Sequence, residues 1–172
     1  MNTLGHASAR RLHLPLRLLG AALLAALWTS GLAQGSSGDI RFTLTGSDHD
    51  GEYVLSGVPL FLCGFGYVGQ GSYALQYYAD DPTAEPSIVQ LNHAGSDGTL
   101  PLGVADLLVG FGDISVDGVT YFINTAAGLG TAEVSVVDDG DSATMTVEGT
   151  TDGGVEIVLE SVCHGVGRVE GG

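Results

Sequence analysis

From Ala132 to Cys163 the chain reads AEVSVV, DDGDS, ATMTVEG, TTDGG and VEIVLESVC: three alternating runs separated by two acidic, glycine-rich turns. In the last run Val155, Ile157, Leu159, Ser161 and Cys163 share one face, and Glu156 and Glu160 point the other way. An apolar-polar period of two marks a strand with one buried face. Such a strand needs hydrogen-bonded neighbours and a second layer over its apolar side. The rest of the chain must supply both.

It contains the material. Ile40, Phe42 and Leu44 alternate with Arg41 and Thr43, and after the turn Gly46–Gly51 (GSDHDG) Tyr53 and Leu55 continue as the second arm of a hairpin. Leu60 to Cys63 is a short apolar run opened by Pro59, tolerable at a strand start or on an edge. Gly64 to Gly71 (GFGYVGQG) is glycine-dense, but no Lys-Ser/Thr pair and no helical pattern follow it, so it reads as a loop rather than a phosphate cradle. Tyr73 to Tyr78 and Ser87 to Leu91 are further strands around the loop Asp80–Pro86, and His93 to Pro101 is a polar loop. Val104, Leu107, Leu108 and Phe111 fit both a short helix near 102–109 and a buried strand. Asp117-Gly118, between Ile114-x-Val116 and Val119–Ile123, signals a two-residue hairpin. The tail 165–172 has no pattern. These runs predict an all-β, single-domain β-sandwich or small barrel of about eight to ten short antiparallel strands.

The first 33 residues read differently. Arg10, Arg11, His13 and Arg17 precede the apolar run Leu18–Trp28, and Gly31-Leu32-Ala33 ends in small residues. This is the pattern of a signal peptide cleaved after Ala33, with an apolar core too short for the roughly 20 residues of a membrane span. No cysteine follows Ala33, so no lipid anchor is expected. Residues 34–38 form a flexible lead-in and 39–164 the β domain. The mature chain is expected to be secreted or envelope-associated, with no further transmembrane segment. It keeps two arginines, no lysine and all twenty acids, a formal net charge of −18. That field repels nucleic acid and anionic membranes and leaves an extracellular or envelope protein or glycan as the class of partner. Cys63 and Cys163 are an even pair in an oxidising compartment and read as a disulfide. A metal site built on Cys163-His164 is disfavoured, because adjacent strand residues face opposite ways.

From Val109 onward specific wording accumulates: Val109-Gly110-x-Gly112, Gly118-Val119-Thr120 after a turn, Gly128-x-Gly130, two strands about an acidic Asp-Gly turn, and a last strand ending in Cys163. Over Val109–Cys163 the chain resembles the small cell-surface lipoprotein antigens of mycobacteria, the nineteen-kilodalton antigen family. Cys63 falls where that family has its earlier internal cysteine. The resemblance implies a small exported domain with a conformational disulfide, displayed at the envelope, adhesive or immunogenic, and without enzyme activity. The lipobox cysteine of those proteins is missing, and the segment between Cys63 and Val109 is longer here.

Candidate chemistry is sparse. Asp138, Asp139 and Asp141 crowd one turn, and Asp48 and Asp50 flank His49 in another. A calcium ion would relieve such repulsion, although aspartate also forms turns for backbone reasons. Asp113-x-Ser115-x-Asp117-Gly118 matches half of an EF-hand loop, but position twelve is Asn124 and the hairpin reading is preferred. No cofactor is expected beyond weakly held calcium. No nucleophile elbow occurs and no catalytic residue is assigned. Tyr73, Tyr77 and Tyr78 are candidate binding residues, since tyrosine joins an apolar ring to a polar tip, but one face of that strand must be buried. A calcium-dependent or carbohydrate-binding β module is the alternative to a structural or interaction domain.

Overall fold

The computed structural model describes residues 35–67, 71–94 and 104–169, which belong to one unit, Gln34–Gly172. The expected leader and its cleavage point at Ala33 lie outside the described residues. The strands are β1 Ser37–Thr45, β2 Gly51–Pro59, β3 Leu62–Phe65, β4 Tyr73–Tyr78, β5 Ile88–Ala94, β6 Val104–Phe111, β7 Val119–Asn124, β8 Thr131–Asp138, β9 Ser142–Thr150, β10 Glu156–His164 and β11 Gly167–Arg168.

They form two open sheets. The first has the order β2-β1-β10-β9-β8 and is antiparallel throughout. The second has the order β11-β3-β4-β5-β6-β7, antiparallel except for the short parallel pair β11–β3. The architecture is a sandwich; neither sheet closes into a barrel.

β10 lies at the centre of the first sheet because both its neighbours match its period. Ile157, Leu159, Ser161 and Cys163 are buried, and Glu156, Val158 and Glu160 are exposed. Leu159 pairs with Phe42 of β1 on one side and Val147 of β9 on the other. Ile40, Phe42 and Leu44 of β1 and Ala143, Met145 and Val147 of β9 thus join the same inner face. The second sheet answers with Tyr73, Leu75, Val89, Leu91, Leu107, Val109 and Ile123. Burying a large apolar side chain contributes about 1.5–3 kcal/mol, so this two-sided layer is the main source of stability. Ser161 sits in it with a buried hydroxyl that has no hydrogen-bond partner among the described residues. Ser161→Ala is therefore expected to leave stability unchanged or raise it by about 1 kcal/mol, read by urea unfolding; a clear loss would mean the hydroxyl is satisfied.

The structure corrects several expectations. Residues 104–111 are strand β6, not a helix. The helical set splits across the sheet, with Leu107 and Phe111 buried inside while Val104 and Leu108 face outward half-exposed. β5 and β7 pair with both edges of β6, so its backbone is satisfied in the extended form. The two-residue hairpin at Asp117-Gly118 is instead a seven-residue loop, 112–118. There the Asp113 carbonyl accepts from the N–H groups of Val116, Asp117 and Gly118, and its Oδ1 takes Ser115 N–H and Oγ. Ile114 and Val116, expected in a strand, are exposed. Eleven strands occur among the described residues: the expected loose tail contributes β11, and the expected flexible lead-in 34–38 already enters β1 at Ser37. Gly64 makes that last pairing feasible: a Cβ there would run into the Gly167 carbonyl.

Candidate functional site

The cysteine expectation is met. Cys63 of β3 and Cys163 of β10 are bonded, with Cα atoms 6.4 Å apart and 100 residues between them in sequence. Each belongs to a different sheet, so the bond ties the two layers. Both are buried, at 2% and 0% exposure.

The three tyrosines part company. Tyr73 is a core residue. Its hydroxyl lies 2.9 Å from the Cys63 sulfur and its ring meets Phe65 edge-on at 4.8 Å. Burial, with a smaller contribution from the Asp138 charge, raises its phenol pKa. Tyr77 is also buried, and burial likewise raises its pKa. Only Tyr78 reaches the surface, where it meets the exposed ring of Phe61 edge-to-face at 5.6 Å. Neither Tyr73 nor Tyr77 can therefore offer a surface to a ligand. The alternation of β4 showed that the run had two faces but not which one turned inward, and Phe61, read as part of an apolar strand, was missed.

The acidic turns serve the backbone. Asp50 Oδ1 accepts the Ser47 N–H at 2.6 Å, and hydrogen bonds from the Ser47 and Gly46 backbone hold its carboxyl below the usual carboxylate range. His49 turns inward: its ring stacks on Phe111 at 4.3 Å and its Nδ1 lies 2.8 Å from the Tyr121 hydroxyl. With Phe42 and Tyr53 this cluster closes one end of the sandwich. Asp48 stays exposed, as do Asp139 and Asp141. Asp138 is engaged by Arg168, whose Nη2 donates to Oδ1 at 2.6 Å, to Oδ2 at 2.8 Å and to the Gly140 carbonyl at 3.0 Å. The guanidinium also lies 4.9 Å from the Phe65 ring centre. Among the described residues no three His, Cys, Asp or Glu side chains come together as a metal-holding group.

Arg168 therefore clamps the β8–β9 turn of the first sheet to the last strand of the second. The Arg168 hydrogen bond is the main cause that lowers the Asp138 pKa. A lowered carboxylate pKa stabilises the fold above the unfolded value near ~4, and the contribution disappears as pH falls through the folded value. Both partners are partly solvated, so Arg168→Met is expected to cost only about 1 kcal/mol at neutral pH. The difference from the parent should vanish in acid unfolding curves below the folded pKa; a loss that persists there would assign the effect to packing on Phe65.

Two outer faces carry features that the sequence pattern left unmarked. On the second sheet Asn92 of β5 and Asp106 of β6 are direct cross-strand partners. Desolvation raises the Asp106 pKa although the Asn92 side chain hydrogen-bonds to it. Asn92 Oδ1 is buried without a partner among the described residues. A carboxylate inside the apolar run LGVADLLVGF was the signal that could have found it. On the first sheet a hollow of about 560 Å³ lies over β8, β9 and β10, with Glu133, Glu148 and Glu156 in its wall. Glu133 and Glu148 are directly opposite each other, an unfavourable cross-strand pair.

Among the described residues no helix is long and apolar enough to cross a membrane. No protein-family model matches the chain, and no curated protein or solved structure matches it.

Proposed function

We propose that the chain is an exported, non-catalytic interaction module of the cell envelope or extracellular space, as its resemblance to mycobacterial surface antigens implies. The observation that carries this reading is the buried bond between Cys63 and Cys163, which staples one sheet to the other. Structural disulfides persist in oxidising compartments and are rare in the reducing cytosol. The acidic surface suits a soluble protein kept away from nucleic acid and anionic lipid. The test is to express the full chain in a host with an export pathway. Protein outside the cytoplasm with its N-terminus at Gln34 and no titratable thiol is the expected result. Accumulation in the cytoplasm, with both thiols free, would overturn the proposal.

A second reading, a module for hydroxyl-rich ligands such as glycans, is favoured by the orphaned Asn92 Oδ1 beside the desolvated Asp106 carboxyl. Asn92 Oδ1 is an acceptor without a donor, the Asp106 carboxylate beside it has acceptor capacity beyond its bond from Asn92, and sugar hydroxyls are donors. Nuclear magnetic resonance titration with neutral oligosaccharides should shift the Asn92 side-chain amide. Unchanged Asn92 and Asp106 signals at millimolar sugar would remove this reading.

A further inference from the structure

We propose that strand β8 is a docking edge for an extended, lysine- or arginine-bearing segment of another protein, which adds to the first sheet as its sixth strand. The inference names a partner class for the interaction module and rests on that reading.

Among the described residues nothing pairs with the outer side of β8, which ends the order β2-β1-β10-β9-β8. Its register with β9 is continuous from Thr131↔Thr150 to Asp138↔Ala143, without a bulge. In an antiparallel strand about half the residues turn their N–H and C=O away from the partner, so β8 offers a straight row of unmet donors and acceptors. Natural edges are normally blunted by lysine, proline, bulges or shortness. The other edges show such devices. β2 has a register shift opposite Gly38/Ile40, a positive-φ Gly57 and a terminal Pro59. β11 is two residues long. β7 is six residues long, and a bridge between Asn124 and Leu129 folds the chain back at its end. β8 has no lysine, proline or bulge; of its two charges Asp138 is paired with Arg168, which leaves Glu133 as its one bare charge. Its inward side chains Ala132, Val134 and Val136 are only partly buried although they pack on the core. A further strand would complete their cover.

Charge selects the occupant. Glu133 and Glu148 face each other on the outer side of this edge. Among the described residues the ion pair near β8 is Asp138 with Arg168, and the other arginine, Arg41, pairs with Glu52 on β2. The chain has no lysine. A positive side chain opposite Glu133 on an incoming strand would sit at the hollow and offset the repulsion of the two carboxylates. A second copy presenting its own β8 would bring Glu133 rather than a positive charge.

The experiment uses the full, oxidised chain and two synthetic peptides of eight residues. Both alternate valine and threonine; one carries two lysines on its threonine face, the other two glutamates. Binding is followed by fluorescence anisotropy, and the site by hydrogen exchange of backbone amides. The lysine peptide is expected to bind and to protect β8 amides, and the glutamate peptide to bind at least about tenfold more weakly. The exposed double substitution Glu133→Lys with Glu148→Lys should reverse that preference while the melting curve stays cooperative. Equal affinity for both peptides, protection away from β8, no binding of either, or self-association through β8 in sedimentation would each overturn the docking edge. An exported, fully oxidised chain that fails these tests leaves the interaction-module reading standing, whereas a cytoplasmic, reduced chain removes both.

Discussion

Removing the inter-sheet bond, by Cys63→Ala together with Cys163→Ala, is expected to lower the melting temperature of the domain by roughly 10–20 °C. The bond closes a separation of 100 residues. In the chain-entropy model a loop of that length restricts the unfolded state by about 4.7 kcal/mol, an upper figure because strain in the native state subtracts from it. Two further costs act in the folded state. Cys63 and Cys163 are buried, so alanine leaves a small void between the sheets. The Tyr73 hydroxyl, 2.9 Å from the Cys63 sulfur, loses that neighbour in a fully buried position. Denaturation with and without reductant separates the contributions: reduction of the parent removes the cross-link but keeps both sulfurs. If the double variant melts within about 3 °C of the oxidised parent, the bond does not hold the layers together.

The second large effect belongs to the closed end of the sandwich. Phe42→Ala is expected to cost about 3–5 kcal/mol. Phe42 is 1% exposed, stacks on Tyr53 at 4.8 Å and meets Phe111 at 6.4 Å. Phe111 in turn carries the His49 ring. Removing the Phe42 ring therefore opens a cavity beneath the whole aromatic group. The His49–Tyr121 hydrogen bond should weaken with it, visible as faster exchange and shifted ring signals for both residues. Val158→Ala is the matched control. Val158 lies opposite Thr43, one residue along β1 from Phe42, but it points outward and is 53% exposed; a change within about 0.5 kcal/mol is expected. Equal losses at Phe42 and Val158 in urea titrations would refute the assigned faces of the first sheet.

The contrast between neighbouring residues shows what alternation can reveal. In β1 and β9 the apolar residues fall on one face and the polar ones on the other, and in β10 the inward face is apolar except for Ser161, so the inward side is written into each strand. In β4 both faces carry aromatics, and Tyr73, Tyr77 and Tyr78 could be sorted only by the sheet that covers them. In β6 the apolar residues satisfy two periods at once, and pairing with β5 and β7 chose between them. The tail gave no pattern because Gly167 and Arg168 make a strand only through contacts with Gly64 and Phe65, about a hundred positions earlier in the chain.

The candidate surfaces follow the same division. Asn92 and Asp106, or Glu133 and Glu148, become neighbours only when hydrogen-bond register sets them opposite each other. The openness of β8 is likewise a property of strand order. That the chain is all-β, that its last long strand is half-buried and that its two cysteines are paired could be read from local period, composition and count alone. Which tyrosines are core, where the acidic side chains find partners and which edge is left bare emerge only once the sheets are assembled, because each depends on what lies across a sheet or between two of them.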